Sequence, residues 1–256
     1  MFWRCVLLNF KQLKTKKDRD EAGLFLVEGE KFIAEIPENF RVHLYVISRK
    51  YADIHDFSRF ERRARCEIVR DSIFERLADT VTPQGIVAVC EKILYKPGDI
   101  LDGGFILMGE NLNDPGNVGA LVRTAAAAGA AGAIFTRGSC DVYSPKVIRA
   151  AAGAVLRLPI IANADPCEIL DALKDRATKI FAAHPRGDFL PYDLNMRDNF
   201  CLLVGNESHG VSDAALARAD ATVRLPMTNS TESLNASVAG SILLYEAVRQ
   251  ACDGRR

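Results

Sequence analysis

The sequence contains no apolar run near the ~20 residues that a membrane-spanning helix needs, and no Cys-x-x-Cys pair. Its four histidines lie far apart, and no His-Glu-x-x-His occurs. These gaps argue against a membrane partner and against the common zinc-ligand spacings, so no metal is expected. Seven cysteines (Cys5, Cys66, Cys90, Cys140, Cys167, Cys201 and Cys252) are scattered singly, an odd count that gives no disulfide framework. Apolar neighbours at most of them predict buried, inert thiols. The opening Met1 to Phe10 is apolar but short, without a small-residue cleavage pattern, and reads as a core element, not a signal peptide. The expected compartment is therefore the cytoplasm, and the glycosylation-type triplets at Asn206, Asn229 and Asn235 read as accidental.

Net charge is also missing: 33 basic side chains balance 33 acidic ones. That balance hides local order. Arg4, Lys11, Lys14, Lys16 and Lys17 all precede the first acid, Asp18, and Arg59, Arg62, Arg63 and Arg65 cluster around a single Glu61. Such patches can contact phosphates, although solvated helix faces give the same pattern.

What is present is 256 residues with 48% hydrophobic side chains, enough for one large domain or two modest ones. The first part mixes charge with short apolar runs. Helices are expected at Leu7 to Asp20, Glu28 to Ile36, Phe57 to Ala64 and Ser72 to Ala78. Strands are expected at Leu24 to Val27, Val42 to Ile47, Cys66 to Val69 and Gly85 to Cys90. Pro97, Gly98, Gly103 and Gly104 mark residues 93–104 as a linker. The division expected is therefore 1–92, linker 93–104 and 105–256.

From Phe105 the texture changes to short continuous apolar runs alternating with helices. Phe105 to Met108, Ala133 to Phe135, Lys179 to Ala183, Cys201 to Val204 and Thr222 to Leu225 read as strands buried on both faces. Val118 to Gly129, Pro145 to Ala152, Pro166 to Asp175 and Leu234 to Ala251 read as helices. The fold class is α/β with a mostly parallel carboxy-terminal sheet, and a ligand belongs in the loops beyond the strand ends.

Three such loops concentrate polar residues. Glu110 to Gly119 leads into a helix that bears Arg123; it lacks the full G-x-G-x-x-G, which disfavours a nicotinamide cofactor. Asp114-Pro-Gly-Asn117 is also a sound turn and helix cap. Leu203 to Ser212 runs a strand into Gly205, Glu207 and Gly210, with a helix capped by Ser212 or Asp213. Leu225 to Asn235 packs Thr228, Asn229, Ser230, Thr231, Ser233 and Asn235 together, more than capping alone requires.

In combination these loops resemble the SpoU (TrmH) family of the SPOUT superfamily of RNA methyltransferases, over Phe105 to Gln250 in order. Tyr143 to Gly153 and Leu158-Pro159 fit the same resemblance, particularly to rRNA-modifying members. Leu7 to Ile36 and Thr82-Pro-Gln-Gly85 resemble the small amino-terminal RNA-binding domain of those members, an α/β sandwich. The resemblance implies S-adenosylmethionine as cofactor, RNA as partner, a carboxy-terminal trefoil knot and a homodimer whose active site uses both chains. It places the cofactor against Gly205, Asn206, Leu225, Met227 and Leu234. The polar catalytic and substrate-positioning residues it implies are Asn117, Arg123, Glu207, Ser233 and Asn235. The expected reaction is methylation of a ribose 2′-hydroxyl in RNA, rRNA first and tRNA second. A non-catalytic RNA-binding or assembly protein on the same fold is the alternative from another class, and a small-molecule methyltransferase the weakest reading.

Overall fold

The computed structural model describes residues 13–101, 103–197, 199–229 and 232–253. They form two compact units: one runs to Ile93 and takes in Tyr143–Arg149, and the other comprises Leu94–Val142 and the chain from Ala150 onwards. The apolar opening of the sequence and the first six residues of the helix expected at Leu7 to Asp20 lie outside the described residues.

In the first unit, Thr15 caps the helix α1 (Lys16–Ala22) by accepting from the Asp18 amide, and Gly23 ends it in the left-handed region at φ 64°. Four strands follow, β1 (Leu24–Glu28), β2 (Val42–Ser48), β3 (Arg65–Val69) and β4 (Ile86–Glu91). Their order is β1-β4-β2-β3, with β4 antiparallel to both neighbours and β3 parallel to β2. Between them stand α2 (Glu30–Ala34), α3 (Arg49–Ile54), α4 (Ser58–Glu61) and α5 (Asp71–Leu77). Strand alternation explains why both faces of this sheet are buried. Leu26, Leu44, Val46, Val87 and Val89 cluster with Phe74 and Leu77 of α5. Phe25, Tyr45 and their alternates point the other way, where Tyr45 packs on Phe60 with ring centroids 5.1 Å apart. Tyr143, distant in sequence, lies 4.7 Å from the Phe25 ring, and Arg149 pairs with Asp79 at 2.8 Å.

The second unit is a six-stranded sheet of β5 (Ile106–Gly109), β6 (Gly132–Thr136), β7 (Ile160–Ala164), β8 (Lys179–Ala183), β9 (Phe200–Val204) and β10 (Ala221–Val223). Every pairing is parallel, in the order β10-β8-β9-β5-β6-β7. The helices are α6 (Pro115–Ala128), α7 (Pro145–Ala150), α8 (Pro166–Lys174), α9 (Asp213–Leu216) and α10 (Ala236–Asp253), of which α7 belongs to the first unit. The order in which strands are added reverses between β5 and β9: β6 and β7 lie on one side of β5, β8 and β10 beyond β9. That is the topological switch point, where strand ends open a crevice.

Several boundaries differ from expectation for local reasons. The helix α6 starts at Pro115, ahead of Val118, because Asp114 accepts from the Asn117 amide and proline suits the first turn. The stretch expected to be helical from Phe57 to Ala64 shortens to α4. The strand β7 was not expected; it is an edge strand whose partly exposed middle carries Asn163 at φ 58° and shows no clean alternation. Among the described residues, no helix is long and apolar enough to cross a membrane, and no group of three His, Cys, Asp or Glu is placed to hold a metal ion.

The expectation of buried thiols needs correction. Cys90 and Cys201 are buried, but Cys66, Cys140 and Cys167 are half-buried and Cys252 is exposed in the last turn of α10. Cys5 lies outside the described residues. Burial pushes the Cys90 and Cys201 thiols up to about 12, because a thiolate would lose its hydration there. A raised folded-state value means the stabilisation holds below the ordinary thiol value and is lost as pH rises past it. Thermal unfolding midpoints should therefore fall steadily between about pH 9 and 12. Iodoacetamide at pH 8 should modify Cys252 in the native protein and reach Cys90 and Cys201 only after unfolding; native-state labelling of Cys201 would contradict its burial.

Candidate active site

Two loops leave adjacent strands at the switch point and are tied together before any ligand enters. The Glu110 amide continues the sheet by donating to the Val204 carbonyl at 2.9 Å. Its side chain, only 7% exposed, accepts from the Ser212 amide at 2.9 Å and the Ser212 hydroxyl at 2.7 Å. A buried carboxylate with two such donors is compensated for its lost hydration. Ser212 in turn caps α9, accepting from the Ala215 amide. Glu110 was visible in the sequence only as the start of a loop; nothing there marked it as the strut between two loops.

Asn206 does the same work from the other side. Its Nδ2 donates to the Asn111 carbonyl at 2.8 Å, and its Oδ1 accepts from the Ser208 and His209 amides at 2.9 and 3.1 Å. Its backbone exchanges two hydrogen bonds with Gly210, at 3.0 and 2.8 Å, closing the loop into a narrow hook. Gly210 sits at φ 71°, and Gly205 is so tightly folded under it that a Cβ would lie 2.2 Å from the Gly210 carbonyl carbon. The side chain of Asn206, expected at the cofactor, is thus spent on holding the loop.

Inside this hook opens a cleft of about 550 Å³, of the size that takes small molecules. Its walls include Gly205, Leu225, Met227 and Leu234, with Val204 and Leu243 behind them. Ala183, His184 and Pro185 at the end of β8 also line it; the sequence offered no density of polar residues there to draw attention. Glu207, Ser233 and Asn235 stand on the same cleft. Asn235 caps α10, its Oδ1 accepting from the Ser237 amide at 2.9 Å and the Ser237 hydroxyl at 2.7 Å. That use of the oxygen leaves the Asn235 Nδ2 as a donor. Ser233 is exposed, while Ser230 and Thr231 lie outside the described residues.

Asn117 reaches the site from the first turn of α6. It is 7% exposed and donates from Nδ2 to Glu207 Oε1 at 2.7 Å, joining the first loop to the second. Glu207 therefore bonds to Asn117 and organises the loop. Arg123 is different. It is exposed and absent from the cleft walls. Six residues along a helix turn the side chain by roughly 120° from Asn117 and carry it roughly 9 Å further. Of the expected site residues, all but Asn117 and Arg123 line the cleft; Asn117 joins it through Glu207, and Arg123 does not.

An all-parallel sheet with a ligand-sized cleft at its switch point, walled by apolar side chains and loop backbone, defines an α/β enzyme that holds an organic cofactor or substrate. Residues 104–245 match the SpoU rRNA Methylase family, and residues 8–88 match the MRM3-like substrate binding domain. The chain belongs to the SpoU family of RNA ribose 2′-O-methyltransferases. A 23S rRNA (guanosine(2553)-2′-O)-methyltransferase from Bacillus subtilis is 30% identical over 93% of each chain. The SpoU methyltransferase AviRb from Streptomyces viridochromogenes, solved in complex with the cofactor AdoMet, superposes with a TM-score of 0.89 at 28% identity, covering 96% of this chain and 97% of that one. A TrmH/SpoU tRNA modifying enzyme from A. aeolicus gives a TM-score of 0.53 at 26% identity, over 62% of this chain and 82% of its own.

Proposed function

We propose that this chain transfers a methyl group from S-adenosylmethionine to a ribose 2′-hydroxyl of ribosomal RNA, working as a cytoplasmic homodimer. The observation that carries the reading is the cleft itself, at the switch point and rimmed by Glu207, which holds Asn117. Its chemistry suits the cofactor. Leu225, Met227 and Leu234 offer apolar walls for the adenosine and methionine carbons, and the loop around Gly205 exposes backbone donors and acceptors for their polar edges. S-adenosylmethionine, when bound, supplies the methyl group as a carbon activated by a sulfonium.

The chain's own residues then orient the acceptor and manage charge. Asn117 is held by Glu207, so its placement costs little ordering at the moment of reaction. The Asn235 Nδ2 and the Ser233 hydroxyl supply further polar contacts at the cleft. A guanidinium is a fixed cation at neutral pH and makes a poor base. Arg123 is therefore assigned to the substrate phosphate and to the negative charge that grows on the ribose oxygen as its proton leaves.

Since Arg123 lies off the cleft of its own chain, it is assigned to the cleft of a second copy. An unpaired apolar stripe supports that dimer: Val238, Ile242 and Tyr245 are 47%, 45% and 51% exposed on one face of α10. The same helix is tied to α6 by the Thr124–Ser241 hydroxyl pair at 2.9 Å. The carboxy-terminal trefoil knot that the family implies belongs to this reading as well.

Ribosomal RNA is favoured over tRNA because relatives named as 23S rRNA methyltransferases match the chain nearly end to end, whereas the tRNA-modifying one matches 62% of it. Methyl transfer to purified large-subunit rRNA and to purified tRNA, run side by side, tests this. The rRNA is expected to accept label at least about tenfold faster, a transition-state difference of about 1.4 kcal/mol; preference for tRNA would overturn the substrate assignment and leave the reaction standing.

A further inference from the structure

The first unit carries a second cleft, of about 610 Å³, lined by Glu30, Lys31, Ala34, Tyr51, His55, Arg59 and Gln84. The exposed His55 ring lies flat on Tyr51, with centroids 4.3 Å apart and 17° between planes, so its outer face is open to solvent. Arg59 pairs with Glu30 at 2.5 Å and stacks over Phe60 at 4.6 Å. Gln84 accepts the Glu30 amide on its Oε1 at 2.9 Å, which leaves its Nε2 as a donor. Tyr51 is only 4% exposed, and its hydroxyl is buried without a hydrogen bond. Burial, reinforced by the Glu30 carboxylate, pushes that phenol up to about 12, so it remains a donor throughout the physiological range.

The neighbouring surface is unusual in the same direction. Ile54, beside His55, is 66% exposed, and Val81, in the loop that carries Gln84, is 99% exposed. That loop is pinned to the end of β1 by Glu28, which accepts from the Asp79 amide at 2.9 Å and from the Thr80 hydroxyl. Flat rings backed by other rings, flanked by cations and by amide and carboxyl groups, are what an unpaired nucleobase needs: a stacking face, edge partners and a place for its phosphate. A peptide groove would call for a run of backbone donors or apolar pockets, whereas this cleft is lined mainly by ring, amide and charged side chains.

We infer that this second cleft is a docking site for a single-stranded nucleotide of the RNA substrate, its base stacked on His55, its edge read by Gln84 and Glu30, and its phosphate held by Lys31. The inference rests on RNA being the substrate. Stacking of one base is worth enough that its loss weakens binding about tenfold.

The test uses the full chain and three readouts: binding of short single-stranded RNA, binding of an RNA duplex of equal length, and steady-state methylation of rRNA. His55→Ala is expected to weaken single-strand binding about tenfold and to raise KM for rRNA with kcat unchanged. His55→Phe, which keeps a ring at the position, is expected to restore both. Equal binding by His55→Ala and the unsubstituted chain would overturn the site, as would a preference for duplex over single strands. If His55→Ala loses oligonucleotide binding but no RNA accepts methyl from either protein, the docking site stands and the catalytic reading fails.

Discussion

Arg123→Ala and Asn117→Ala proteins, each inactive alone, are expected to regain about a quarter of full activity when unfolded together and refolded as a mixture, since half the dimers formed are mixed and each holds one intact site. The reasoning follows from where the two side chains stand. Asn117 is fixed to Glu207 on its own cleft, while Arg123 projects from a different face of α6, exposed and off the cleft wall. Loss of a fixed donor or cation aimed at developing charge typically costs 10²–10³ in turnover, about 3–4 kcal/mol, so each parent should be nearly silent. Recovery would be large against that background. No recovery, with dimers verified by sedimentation, would place Arg123 and Asn117 in the same chain's site and remove the two-chain account. Glu246 and Asp253, which both pair with Arg249 at the far end of α10, offer control positions on the same helix.

Gly205→Ala carries the second large effect. The added methyl would meet the carbonyl carbon of Gly210 and the amide nitrogen of Val211 at 2.2 Å and the Gly210 oxygen at 2.4 Å. These are backbone atoms of a hook closed by the two Asn206–Gly210 hydrogen bonds and braced by Glu110 and Asn206, so the hook must open to admit the methyl. Overpacking of this kind costs about 1–3 kcal/mol, and here the strain falls on the wall of the proposed cofactor cleft. Calorimetry should show S-adenosylmethionine affinity reduced by about a hundredfold, or ~2.7 kcal/mol, while circular dichroism of the sheet is retained. Gly210→Ala is the informative companion. Nothing stands within 4 Å of its Cβ, so only the cost of a left-handed residue remains, about 1–2 kcal/mol. A Gly205→Ala protein that bound cofactor normally would show that the hook does not form that wall.

Much of this was legible in the residues because the relevant signals are local. Apolar runs such as Ile106 to Gly109 and Phe200 to Val204 announce strands buried on both faces. Asp114, Pro115 and Ser212 announce helix starts, and the polar density before α10 announces a binding loop. Strand order is not local, and no pattern in the chain says that β9 inserts beside β5 or that Tyr143 packs on Phe25. The same limit applies within the site. Asn117, Glu207, Ser233 and Asn235 belong to polar loops and could be picked out by residue type. The division of labour among them could not, because Asn206 and Glu110 become struts only once two strands distant in sequence lie side by side. Arg123 was conspicuous as a cation on the helix that follows a polar turn, yet it is exposed and off the wall of its own cleft. The exposed stripe on α10 likewise could not be told from a core face by periodicity, since both repeat every three or four residues.

The most direct measurement is transfer of labelled methyl from S-adenosylmethionine to total cellular RNA, followed by digestion to nucleosides and separation of ribose-methylated from base-methylated products. The account predicts a single labelled 2′-O-methylnucleoside, recovered from ribosomal RNA and absent with the Asn117→Ala protein. Label on a base would contradict it.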